Sequence, residues 1–197
     1  PEPEAWSIRW YKNMIGDCSA DVVSSTVPCS KKWMVGTVNS FYIGIIATVI
    51  ATALGTLAAL GLSRPHMPYK GLIMAILISP MIVPLIITAA GMFFFYARIN
   101  LVYTFTGVIL AHVALATPFV VITVTATLVG FDMNMVKAAQ SLGAKPLRTF
   151  FKVIMPLILP GIISGALFAF ITSFDEVVIV MFMASIDQLT IPKQMWA

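Results

Sequence analysis

The stretch MVKAAQSLGAKPLRTFFKVIMPLILPGI, Met135 to Ile162, decides how the chain is read. It begins as a short, basic, amphipathic segment, turns at a glycine and runs directly into apolar sequence punctuated by proline. Asp132 is placed to N-cap a helix that starts at Met133 and continues through Leu142. On that helix Met135, Ala138, Ala139 and Leu142 share one face, and Asn134, Lys137 and Ser141 another. Gly143 is placed to end it, and Pro146 to open a second helix, where a missing N–H does no harm. A helix of about ten residues measures about 15 Å, too short to cross hydrocarbon, so it is expected to lie along a membrane face. Its apolar side needs a cover: lipid headgroups, the protein's own bundle or a separate soluble partner. The residues alone leave all three open.

The surrounding chain is the reason a membrane enters the reading. Of its 197 residues 59% are hydrophobic and only 10% charged, too few charges for a water-solvated surface. Four runs are apolar enough to span: about Phe41 to Leu62, Leu72 to Tyr96, Phe105 to Val129 and Val153 to Met183. The fourth has residues to spare and is expected to bend, tilt or break near its far end. Four spans put both ends of the chain on one side. Arg64, Lys70, Lys137, Lys145, Arg148 and Lys152 face the other, against Arg9, Lys12, Lys31, Lys32, Arg98 and Lys193 on the side of the ends. Basic residues are therefore balanced and do not orient the chain. Acidic ones are not: Glu2, Glu4, Asp17, Asp21 and Asp187 lie on the side of the ends and Asp132 alone opposite. The loops holding Arg64 and Lys137 are accordingly expected in the cytoplasm.

Residues 1–35 read as a polar external segment, and residues 36–197 as the membrane domain, with a cytoplasmic loop at 131–152. The opening PEPEAWSIRWYKN holds no signal-peptide pattern. Within WSIRWYKNM, Trp6, Trp10 and Tyr11 suit an interfacial helix at the headgroup level. Cys18 and Cys29 stand where a disulfide is permitted and would close a small polar loop; two free thiols are the alternative. In the first span Ala47, Ala51, Gly55 and Ala59 recur at helical spacing, as close helix contact requires. Pro80 and Pro84 are expected to kink or break the second. His112 sits at membrane depth in the third, either on a substrate path or satisfied by a neighbouring hydroxyl or carbonyl. The threonines around it, Thr117, Thr123, Thr125 and Thr127, can bond back to their own helix. The fourth carries the GxxxG pair Gly161 and Gly165. Counting from Val153, Asp175 falls roughly 33 Å along the axis, near the outer interface. Asp175 and Glu176 there read either as a cation-attracting mouth or as an interfacial cap or subunit contact. No metal-ligand spacing accompanies the cysteines, and no GxxxxGK[ST] phosphate loop is present.

The loop resembles the cytoplasmic "EAA" loop of the permease subunits of bacterial ATP-binding-cassette importers. That pattern places E-A-A, three residues, Gly, nine residues, then an aliphatic residue, a gap, an apolar residue and Pro. Here Lys137, Ala138, Ala139, Gly143, Val153, Met155 and Pro156 stand at those positions. NSFYIGIIATVIATALGTLAAL, ATPFVVITVTATL and SFDEVVIVMF resemble the spermidine and putrescine branch, within a wider group that also handles ferric iron and opine-like solutes. The likeness covers about Trp6 to Trp196. Two departures stand out: Lys137 replaces the usual glutamate, and four spans are visible where the family has six with cytoplasmic ends. The two terminal spans are expected to lie outside this sequence.

The resemblance implies an all-α polytopic membrane protein with the transmembrane fold of a type I importer, in the bacterial inner membrane. It implies pairing with a second related permease subunit, a cytosolic ATPase dimer that binds ATP and Mg, and an external solute-binding protein. This chain itself would hold no cofactor, no catalytic residue and no nucleic acid. Coupling to the ATPase would fall to Lys137, Ala138, Ala139 and Gly143, with the passage into the membrane set by Pro146 and Pro156. Asp175, Glu176 and His112 are the candidates for the path of a polyamine or a related small cation. A secondary transporter or channel without an ATPase, and a structural scaffold, are the competing classes.

Overall fold

The computed structural model describes residues 11–12, 31–64 and 67–196. The interfacial helix expected around Trp6 and Trp10, and the Cys18–Cys29 pairing, lie outside the described residues. The elements described beyond residue 30 are all helices: α1 (Lys32–Leu62), α2 (Lys70–Ile82), α3 (Leu85–Arg98), α4 (Phe105–Val129), α5 (Met133–Ser141), α6 (Pro146–Phe174), α7 (Val178–Met183) and α8 (Ile191–Met195). Among the described residues three helices, α1, α4 and α6, are long and apolar enough to cross a membrane; the bent pair α2 and α3, taken as one span, would make a fourth.

These three long helices form the core, with α4 at its centre. Their close approach follows from side-chain size. Ala47, Ala51 and Ala59 of α1 are fully buried, and a Cβ at Gly55 would come within 2.7 Å of Val120 Cβ on α4. On α6, Gly161 lies against Thr127, and a Cβ at Gly165 would stand 3.0 Å from the Val120 backbone. With lipid as apolar as leucine, such close contact is what holds membrane helices together. Thr117, Thr123 and Thr127 donate to the carbonyls of Val113, Phe119 and Thr123 of their own helix, at 2.6, 2.9 and 2.9 Å, which satisfies their hydroxyls in the apolar layer.

One boundary differs from the sequence reading, and the breaks it expects in the second and fourth runs are present. Helix α1 begins at Lys32, well before Phe41, and so includes residues 32–35. Its polar residues do not stop it, because Thr37 bonds back to the Trp33 carbonyl at 2.8 Å while Asn39 and Ser40 bond across the bundle. The kink or break expected at Pro80 and Pro84 is present: α2 and α3 are bent by 103° at Val83 and Pro84. Two prolines within five positions remove neighbouring N–H donors and leave the ladder nothing to close on. At the fourth run, α6 starts at Pro146 and continues without interruption into the membrane. A π-helical stretch, Phe150–Ile154, widens it ahead of Pro156 and Met155 N–H reaches back to the Phe150 carbonyl. That widening absorbs the donor and the space that Pro156 lacks. The far-end break expected from surplus length occurs between Phe174 and Val178.

One end of the bundle is tied by polar side chains. Asn39 donates to the carbonyls of Asp187 and Leu189 at 2.9 and 3.0 Å, and Ser40 Oγ accepts from Ile191 N at 2.9 Å. Gln188 donates to the Tyr103 carbonyl at 2.8 Å, and Tyr103 N to that of Met183 at 2.9 Å. The segment after α7 is thereby fixed to both α1 and the α3–α4 turn. The opposite end carries α5.

Candidate functional site

Two places hold the candidate residues named from the sequence: the α5 turn at one end of α6 and the break at the other. At the first, Asp132 Oδ1 accepts from Asn134 N at 2.9 Å and caps α5. The helix ends at Ser141, with Leu142 as its cap. Ala144 N donates to the Ala139 carbonyl at 3.1 Å and Gly143 N to that of Gln140 at 2.9 Å. This pair of reversed bonds requires a left-handed residue, supplied by Gly143 at φ +79°. Pro146 then opens α6.

The bundle covers little of α5. Val136, which the sequence reading left out of the apolar face, is the residue turned inward, and Ala139 is half-buried. Met135, Ala138 and Leu142 remain exposed, Leu142 at 89%. The helix is thus rotated so that Ala139 marks the edge of the free face rather than its middle. Of the three covers open to it, this chain's own bundle supplies none for Met135, Ala138 or Leu142 among the described residues. Lys137, Lys145, Arg148 and Lys152 are also exposed, and among the described residues none of them meets a carboxylate.

At the far end of α6 the two adjacent carboxylates part company. Asp175 is exposed, while Glu176 is 7% exposed and its Oε1 accepts from Ile179 N at 2.9 Å, capping the first turn of α7. Adjacent in sequence, one carboxylate faces outward and the other is enclosed at the backbone break after Phe174. Glu176 and Thr172 line a cavity of about 360 Å³ whose other walls are the elbow Pro80 to Leu85, Leu115 and Phe119. A carboxylate with apolar walls can hold one ammonium group and the methylenes attached to it.

His112 is 1% exposed, and its Nδ1 lies 2.8 Å from Ser173 Oγ; among the described residues Nε2 has no partner. It is held by a neighbouring hydroxyl, between α4 and α6, and does not line the Glu176 cavity. Among the described residues no three His, Cys, Asp or Glu side chains converge as metal ligands. Thr172 and the elbow were missing from the sequence reading of this site. Pro80 and Pro84 signalled a break, but nothing in one sequence says that it faces Glu176.

A family model described as "Binding-protein-dependent transport system inner membrane component" matches residues 34–196. The spermidine/putrescine transport system permease protein PotC of Haemophilus influenzae is 31% identical over 160 residues, 81% of this chain and 62% of the relative. PotC of Escherichia coli K12 is 28% identical over 159 residues, 81% of this chain and 60% of the relative. The putrescine transport system permease protein PotI of the same organism is 30% identical over 195 residues, 95% of this chain and 64% of the relative. The chain spans less than two thirds of the length of each.

Proposed function

Since the chain belongs to the family of binding-protein-dependent transport system inner membrane components, we propose that it is a membrane-spanning subunit of an ATP-driven importer of polyamines. It is a multi-pass inner-membrane protein of all-α fold. Its contribution is conformational: ATP and Mg are bound and hydrolysed by a separate cytosolic subunit, and solute is delivered by an external binding protein.

The free face of α5 supports the first part. Met135, Ala138 and Leu142 present an apolar surface on a rigidly capped helix, and a soluble ATPase is the partner that would cover it. From Gly143 the chain passes at once into α6, which runs unbroken from Pro146 to Phe174. Displacement of α5 by the closing ATPase would be carried along α6 to the break beside Glu176. Alternating access needs such a stiff element joined to a hinge. Lys137 is exposed beside the docking face and would meet an acidic group of the partner, the reverse of the charge usual at that position.

The observation that carries the solute class is the Glu176 cavity, a carboxylate set among apolar walls. It suits an alkylammonium better than a hydrated ferric complex or an opine carboxylate. The names of the relatives point the same way. Asp175, exposed next to it, would attract the cation to that end. Reconstitution of the complete assembly with its ATPase and binding protein tests the reading. ATP-dependent spermidine or putrescine uptake, competed by the other polyamine and not by ferric complexes, is expected. Uptake driven by an ion gradient with no ATPase present would reject the importer, and uptake of ferric complexes alone would reject the polyamine.

A further inference from the structure

The twenty-nine residues of α6, counted as 29 from Pro146 to Phe174, measure roughly 44 Å, about 14 Å more than the hydrocarbon layer of about 30 Å. With Phe174 at the outer edge of that layer, the surplus falls at the Pro146 end, where Leu147, Arg148, Phe151 and Lys152 are exposed. Arg148 and Lys152, one turn apart, line the same groove of about 520 Å³ between α6 and the end of α5, with Leu142 and Thr149 in its walls. Thr149 is buried, its hydroxyl donating to the Lys145 carbonyl at 3.3 Å, so the two cations are the groove's free donors. The nearest acidic residue in sequence, Asp132, is occupied in capping α5. Leu147 at 73% and Phe151 at 61% exposure place hydrocarbon beside the cations on the same turns.

We propose that this groove binds the phosphodiester of an anionic phospholipid, with Arg148 and Lys152 as its ligands. The charge is complementary, the depth is that of the headgroups, and the exposed apolar side chains take the adjoining acyl region, which a soluble anion would leave bare. A lipid bound there touches both α5 and the first turns of α6, so its presence would stiffen the turn at Gly143. The site does not depend on which solute is transported.

The test uses the complete assembly in nanodiscs of phosphatidylcholine doped with phosphatidylglycerol, with retained lipid counted by native mass spectrometry. Each cation near an anionic surface is worth about fivefold in affinity, so Arg148→Gln with Lys152→Gln should weaken phosphatidylglycerol retention on the order of 25-fold. Arg148→Lys should preserve it. Undiminished retention in the double variant overturns the proposal. Displacement of the lipid by inorganic phosphate would show a soluble-anion site and overturn the lipid assignment. Loss of the ATPase subunit from the double variant with lipid retained would make the groove a protein contact and overturn it as well.

Discussion

Gly143→Val isolates the turn on which the proposed coupling depends. Gly143 is at φ +79°, and a Cβ added there would meet nothing within 4 Å, so the substitution costs conformation and not packing. A non-glycine residue in the left-handed region costs about 1–2 kcal/mol, more when β-branched. Asparagine tolerates that region, so Gly143→Asn should cost only a fraction of this. A shift of about 1.4 kcal/mol changes the population of the closed turn about tenfold. Hydrogen exchange of the Ala144 amide, which is bonded to the Ala139 carbonyl, should quicken by about that factor in the valine variant. In the reconstituted assembly, solute taken up per ATP hydrolysed should fall in parallel for valine and hardly for asparagine. Equal exchange and equal coupling in wild type, asparagine and valine proteins would refute the reasoning.

Other substitutions probe the remaining joints. Gly161→Val would collide with Thr127 on α4 and should destabilise the bundle by about 1–3 kcal/mol, seen as a lower thermal midpoint in detergent. Gly61→Ala, with nothing within 4 Å and helical φ, should not lower the midpoint. Glu176→Gln can still accept from Ile179 N but loses its charge. Polyamine uptake should weaken at least about tenfold with stability retained, whereas Glu176→Ala should lose both. Asn39→Ala removes two bonds to the Asp187 and Leu189 carbonyls and should cost about 1–3 kcal/mol, read as faster exchange across 184–191.

The parts legible in the sequence were those governed by local rules. Asp132, Gly143 and Pro146 announced their positions because caps, left-handed turns and first-turn prolines depend on a few neighbouring residues. The small residues at Gly55, Gly161 and Gly165 announced close packing for the same reason. Hydropathy marked the long helices, and Pro80 and Pro84 marked the break within Leu72 to Tyr96, but neither registers the 103° bend. It also started α1 too late, because Asn39 and Ser40 look like span-breaking residues until their partners in the 187–191 segment are known. The rotation of α5 that buries Val136 and frees Ala138, and the meeting of Glu176 with the Pro80 to Leu85 elbow, depend on contacts between distant segments. Those are set by the assembled bundle and leave no local mark.

The most direct test of the account is a site-specific photocross-link from Met135, exposed on the free face of α5 and outside the groove of Arg148 and Lys152. With a photoreactive residue there, in the complete assembly in native membranes, the account predicts a covalent adduct with the cytosolic ATPase subunit, and none from Phe94 on α3. Adducts with lipid alone, or with the ATPase equally from both positions, would contradict it.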